Sequence, residues 1–146
     1  MNPQEWRDEF AGWLEGFPWK WSCSLTFRPG LTESQARWRL RKWACELRDA
    51  LGDKHFEWIG IPETGRTGED FHFHVLIGGL CDWHADERLE FMRRWHKLSG
   101  DARIDIYNPN LLGVRYILKF VEPDDTDSIE FHLATGTQLQ SQFGAK

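Results

Sequence analysis

The chain has 146 residues, 40% of them hydrophobic, enough to bury the core of one domain and too few for a second of ordinary size. A net charge of −5 argues against a sequence-independent nucleic-acid coat, which normally carries a broad positive surface. No run reaches the ~18 apolar residues of a membrane span, the opening MNPQEWRDEF has no apolar signal core, and Cys23, Cys45 and Cys81 fit neither a disulfide framework nor a thiolate zinc site, so a cytoplasmic protein is expected.

Trp6, Phe10, Trp13 and Leu14 recur at helical intervals between Pro3 and Gly16 and predict a helix over residues 3–16. WKWSCSLTF, residues 19–27, alternates bulky with small or polar residues and stops at Arg28-Pro29-Gly30, as a strand ending in a turn does. Thr32 opens a long helix to about residue 51, with Gln35 placed for a capping box and Gly52 as its stop. Residues 54–63 and 70–78 read as antiparallel strands joined by TGRTGE, a helix is expected over 85–98, and ARIDIY at 102–107 alternates as a short strand.

A last helix is expected over residues 110–121, with Leu111, Val114, Leu118 and Val121 as its apolar stripe. One more strand is expected around 129–133, then an irregular tail from about 134 to 146. Helices interleaved with strands, two of them a hairpin, predict an α+β domain: one mainly antiparallel sheet of about five strands with helices packed against it.

Charge is unevenly spread. Residues 28–48 hold Arg28, Arg37, Arg39, Arg41, Lys42 and Arg48 against Glu33 and Glu46, whereas 122–130 hold five acids and no base. Within the basic helix Arg37, Arg41 and Lys42, together with Arg28 and Arg115, are the candidates for contacting a phosphate backbone. Trp19, Trp21 and Trp58 are candidate stacking platforms, although most of the nine tryptophans suit a core.

The pattern FHFHV, residues 71–75, puts His72 and His74 on one face of a strand and Phe71, Phe73 and Val75 on the other. Any hairpin register that pairs Glu63 with either histidine places all three on one face. Two imidazoles and a carboxylate suit a divalent cation such as Mn²⁺, with Mg²⁺ plausible and Zn²⁺ compatible. The chain has two tyrosines, and Tyr116 lies one turn from Gly113 and from Lys119 on the expected last helix, off its apolar stripe. An ammonium there would neutralise charge gathering on a phenolate and on a phosphate under attack.

Three segments together resemble the HUH endonuclease superfamily, and within it the rolling-circle replication initiators (Rep proteins) of plasmids and viruses. SLTF at 24–27 is similar to the family's first-strand motif, FHFHVLIGG at 71–79 to its metal motif, and GVRYILKFV at 113–121 to its tyrosine helix with Y-x-x-K, in family order. The resemblance implies a ferredoxin-like or RNA-recognition-like sheet, His72, His74 and Glu63 as metal ligands, Tyr116 as nucleophile and Lys119 as the helix lysine. It further implies nicking of single-stranded or hairpin origin DNA to a 5′-phosphotyrosine and a free 3′-hydroxyl. With one tyrosine on the helix and no G-x-x-x-x-G-K-[ST], a single-tyrosine enzyme relying on a separate helicase is expected. A single-tyrosine transposase of the same superfamily is the nearest alternative. A non-catalytic single-stranded nucleic-acid-binding module is the alternative from another class.

Overall fold

The computed structural model describes residues 1–63, 71–111, 113–119 and 121–134. Its elements are α1 (Pro3–Leu14), β1 (Trp19–Thr26), α2 (Glu33–Leu51), β2 (Glu57–Glu63), β3 (His72–Gly78), α3 (Ala85–Leu98), β4 (Ala102–Ile106), α4 (Val114–Leu118), a 3₁₀ turn (Thr126–Ser128) and β5 (Glu130–His132). The five strands form one antiparallel sheet in the order β4-β1-β3-β2-β5, flanked by helices. The run from β1 to β4, with two helices as crossovers and strand order 4-1-3-2, is the split βαβ arrangement of ferredoxin-like domains. The loop TGRTGE and the tail beyond residue 134 lie outside the described residues.

The long elements are set by local chemistry. In α1 and α2 the side chains of Asn2 and Thr32 accept from the N–H three residues on, and Glu5 and Gln35 accept in return. Gly52 ends α2 with φ 63, the left-handed conformation that glycine adopts without strain.

The last helix differs from expectation. It covers only Val114–Leu118, and its apolar side is Val114, Ile117 and Leu118 with Val121 beyond, while Leu111 is 69% exposed. The chain before it turns at Asn108-Pro109-Asn110, and Gly113 sits so close that an added Cβ would lie 2.6 Å from the Pro109 carbonyl oxygen. Gly113 therefore marks a close backbone approach to Pro109.

Alternation along the strands divides the core in two. On one face Leu40, Trp43, Ala44 and Leu47 of α2 and Phe91 and Trp95 of α3 meet Cys23, Leu25, Phe73, Val75 and Ile104. Two indole N–H groups are satisfied there by backbone: Trp43 donates to Phe91 O at 3.0 Å and Trp95 to Thr26 O at 2.9 Å. On the other face Phe10, Ala11 and Leu14 of α1 and the apolar side of α4 meet Ile59, Ile61 and Leu76. Trp19, Trp21 and Trp58, at 8%, 4% and 6% exposure, are core residues, which removes them as stacking platforms. Among the described residues no helix is long and apolar enough to cross a membrane.

Candidate functional site

In the β2–β3 ladder Glu63 pairs with His72 and Ile61 with His74, so Glu63, His72 and His74 project from one face, as Phe73 and Val75 do from the other. Oε2 of Glu63 lies 2.7 Å from Nε2 of His72 and 2.6 Å from Nε2 of His74. The three ligand atoms all lie within 4.8 Å of one another, close enough for one ion to draw together with bonds of ~2.0–2.2 Å. This Glu-His-His group can hold a metal ion. Its donor set, nitrogen, nitrogen and oxygen, fits borderline divalent cations.

Burial, with the proximity of His72 and Lys119 adding to it, holds the His74 imidazole below its ordinary range, against the opposing pull of Glu63. A ring kept neutral near neutral pH presents its lone pair, the form in which histidine ligates. Only 8% of the His74 side chain is exposed, against 23% for His72 and 24% for Glu63, so the site opens to solvent on the Glu63–His72 side.

Tyr116 stands beside this group. Its ring lies 5.8 Å from that of His74, centroid to centroid, at 88°. The Lys119 ammonium is 3.9 Å from the centroid of the phenol ring. Five residues are too few for a helix to stand alone. Helix α4 is held from below by Phe10, Ala11 and Leu14, and from the side by Arg115, which reaches Asp8 at 3.5 Å and Glu15 at 2.9 Å. With its apolar side buried, Tyr116 is left on the other side at 36% exposure.

The remaining basic candidates have partners within the chain. Arg37 donates to Ser128 O at 2.6 Å and pairs with Glu33, and Arg41 pairs with Glu130 at 2.6 Å. The acidic stretch after α4 thus neutralises part of the basic helix through Glu130, and Glu122 ties the same stretch to Arg7 of α1 at 2.9 Å. Arg28 donates to the carbonyls of His96 and Lys97 at the end of α3, and Lys42 lies over the exposed Trp38 ring at 5.1 Å. Arg115, as noted, serves the α1–α4 contact. The structure brings Glu63, His72, His74, Tyr116 and Lys119 together and gives each of these five cations a different local role.

Two features escaped the sequence reading. Ser24 and Thr26 of β1 lie directly opposite His74 and His72, a pairing that only the β1–β3 register reveals. Asp53, 4% exposed, accepts from the N–H groups of His55, Leu80 and Cys81 and from the Trp83 indole. Burial pushes its carboxyl up, but the donors from Cys81, His55, Trp83 and Leu80 prevail and hold it below the ordinary range. Its nearest signal in sequence is an acid just after the glycine that stops α2.

Comparison of the chain with protein-family models, with curated proteins and with solved structures finds no match.

Proposed function

We propose that this chain is a metal-dependent DNA endonuclease of the replication-initiator type, which nicks one strand through Tyr116 and stays joined to the 5′ end. The observation that carries the reading is the meeting of two separate groups: a Glu-His-His set able to hold an ion, and a half-exposed phenol packed edge-on against one of its imidazoles. A structural histidine pair would require neither the carboxylate between the rings nor a tyrosine and a lysine beside them.

Glu63, His72 and His74 would hold a divalent cation, Mn²⁺ or Mg²⁺ in this reading, which when bound would supply Lewis acidity toward the phosphate. The chain's own residues do the rest. Tyr116 Oη attacks phosphorus in line, the P–O3′ bond breaks, the phenol gives up its proton and the 3′ oxygen gains one. The products are a 5′-phosphotyrosine and a free 3′-hydroxyl. Lys119, beside the ring, offsets negative charge on the phosphate oxygens. The new diester keeps the bond energy of the old one, so a 3′-hydroxyl can reverse the step and rejoin strands.

Labelled single-stranded DNAs incubated with protein and Mn²⁺ and run on a denaturing gel test this. A protease-sensitive adduct that disappears with EDTA and with Tyr116→Phe is expected. Cleavage that persists in Tyr116→Phe would sink the nucleophile assignment. Strand binding without cleavage would favour the non-catalytic module.

A further inference from the structure

Helices α1 and α4 cover the β2–β3 half of their sheet face and leave the β1–β4 half open. That open half holds a groove of about 570 Å³, lined by Ser22, Arg103 and Asp105 from the strands and by Asn108, Asn110 and Leu111 from the turn leading into α4. Its size falls in the ~300–1,000 Å³ range of small-ligand clefts. Its place follows from register: Ser24 lies opposite His74 on one side and opposite Arg103 on the other. Arg103 therefore shares a face with His74 two strands away, about 10 Å at ~4.8 Å per strand. The groove's far wall continues within a few residues to Tyr116.

Its chemistry is specific. Arg103 Nε donates to Asp105 Oδ2 at 2.8 Å, with 76% and 45% of the two side chains exposed. Among the described residues the two terminal guanidinium nitrogens and Oδ1 make no other hydrogen bond. So exposed a pair adds little to stability, yet it presents forked N–H donors beside a carboxylate acceptor. Leu111, 69% exposed, lines the groove beside these groups with apolar surface suited to the face of an aromatic ring.

We propose that this groove is a nucleobase subsite in which Arg103 and Asp105 read an unpaired guanine of the strand whose phosphate lies at Tyr116. Guanine alone among the four bases offers two adjacent N–H donors, at N1 and N2, to one carboxylate, with the O6 acceptor next to them for the guanidinium. Asn108 and Asn110 add amide donors and acceptors at the rim. The proposal rests on the endonuclease reading only in taking a DNA strand as the ligand, and its test does not require cleavage.

The experiment is fluorescence anisotropy of the full chain with labelled oligothymidylates that carry one central guanine, adenine or cytosine, or none. Wild type is expected to bind the guanine strand about ten-fold more tightly than the other three, the discrimination of one good bidentate base contact. Arg103→Ala and the isosteric Asp105→Asn are each expected to bring the four strands to parity while leaving the Mn²⁺-dependent thermal shift of the Glu-His-His site unchanged. Equal affinity of wild type for all strands, no binding to any, or a guanine preference that survives both substitutions overturns the subsite. The same strands incubated with Mn²⁺ separate the two ideas: an adduct formed without regard to guanine sinks the subsite and keeps the nuclease, and guanine-dependent binding without an adduct does the reverse.

Discussion

The two faces of the sheet are built by opposite means. One is covered by α2 and α3, long helices with their own capping signals or acidic first turns, over a core rich in tryptophan, phenylalanine and leucine. The other is covered in part by α1 and a five-residue α4, and beside them it carries histidines, a glutamate, serines and an Arg–Asp pair. Both faces bury an apolar core, and the candidate metal site lies on the second, where the five-residue α4 is positioned by its neighbours.

The sharpest way to break that division is Tyr116→Phe. It removes one oxygen from a half-exposed side chain, so the melting temperature is expected to change little while adduct formation, read on a denaturing gel, falls by roughly three orders of magnitude or more. Leu40→Ala should do the reverse. Leu40 is fully buried under the helix-covered face, and its truncation is expected to cost about 2–5 kcal/mol in urea unfolding while the Mn²⁺-induced shift of whatever remains folded persists.

Metal bound on the second face should stabilise the folded chain as a whole. Saturating Mn²⁺ at about a hundred times its dissociation constant is expected to add ~2.7 kcal/mol in thermal melts. EDTA or His74→Ala should abolish that gain, and a gain that survives His74→Ala would remove the triad as the binding site.

Asp53 gives the pH dependence. Its folded pKa is depressed, so its contribution is complete above the ordinary aspartate value of ~3.9 and is lost as pH falls through the lowered folded value. Asp53→Asn should therefore lower stability near neutral pH, by about 2 kcal/mol, and flatten the acid limb of the unfolding curve. At the small end, Arg41→Ala removes an ion pair whose arginine is 53% exposed and is expected to cost less than about 1 kcal/mol.

How much of this the sequence carries follows the same division. The ends of α2 are legible because Thr32, Gln35 and Gly52 each act within a few residues. The ligand trio is legible because period-2 alternation and one hairpin fix which side chains share a face. Helix α4 was expected to be longer because Leu111 matches the helical period; the Asn108-Pro109 pair marks the turn in the sequence, but the close approach of Gly113 to Pro109, which delays the helix start, shows only in the fold. The loss of Arg37 and Arg41 to Ser128 and Glu130 spans some ninety residues of chain, and no window along the sequence could pair them. The Arg103–Asp105 groove was missed for the same reason: it exists only because β4 pairs with β1.

The placement of β4 and β5 at the two margins of the sheet has a consequence for the chain's behaviour in a crowd. A free strand margin is a template on which another chain can add, and long, flat, apolar margins seed aggregation. Here one margin is β4, which carries Arg103 and Asp105 within five residues, and the other is β5, with three residues in its ladder. Neither gives an incoming strand the length of uncharged backbone needed to extend the sheet. The charges that make β4 fit to read a base also make it a poor seed.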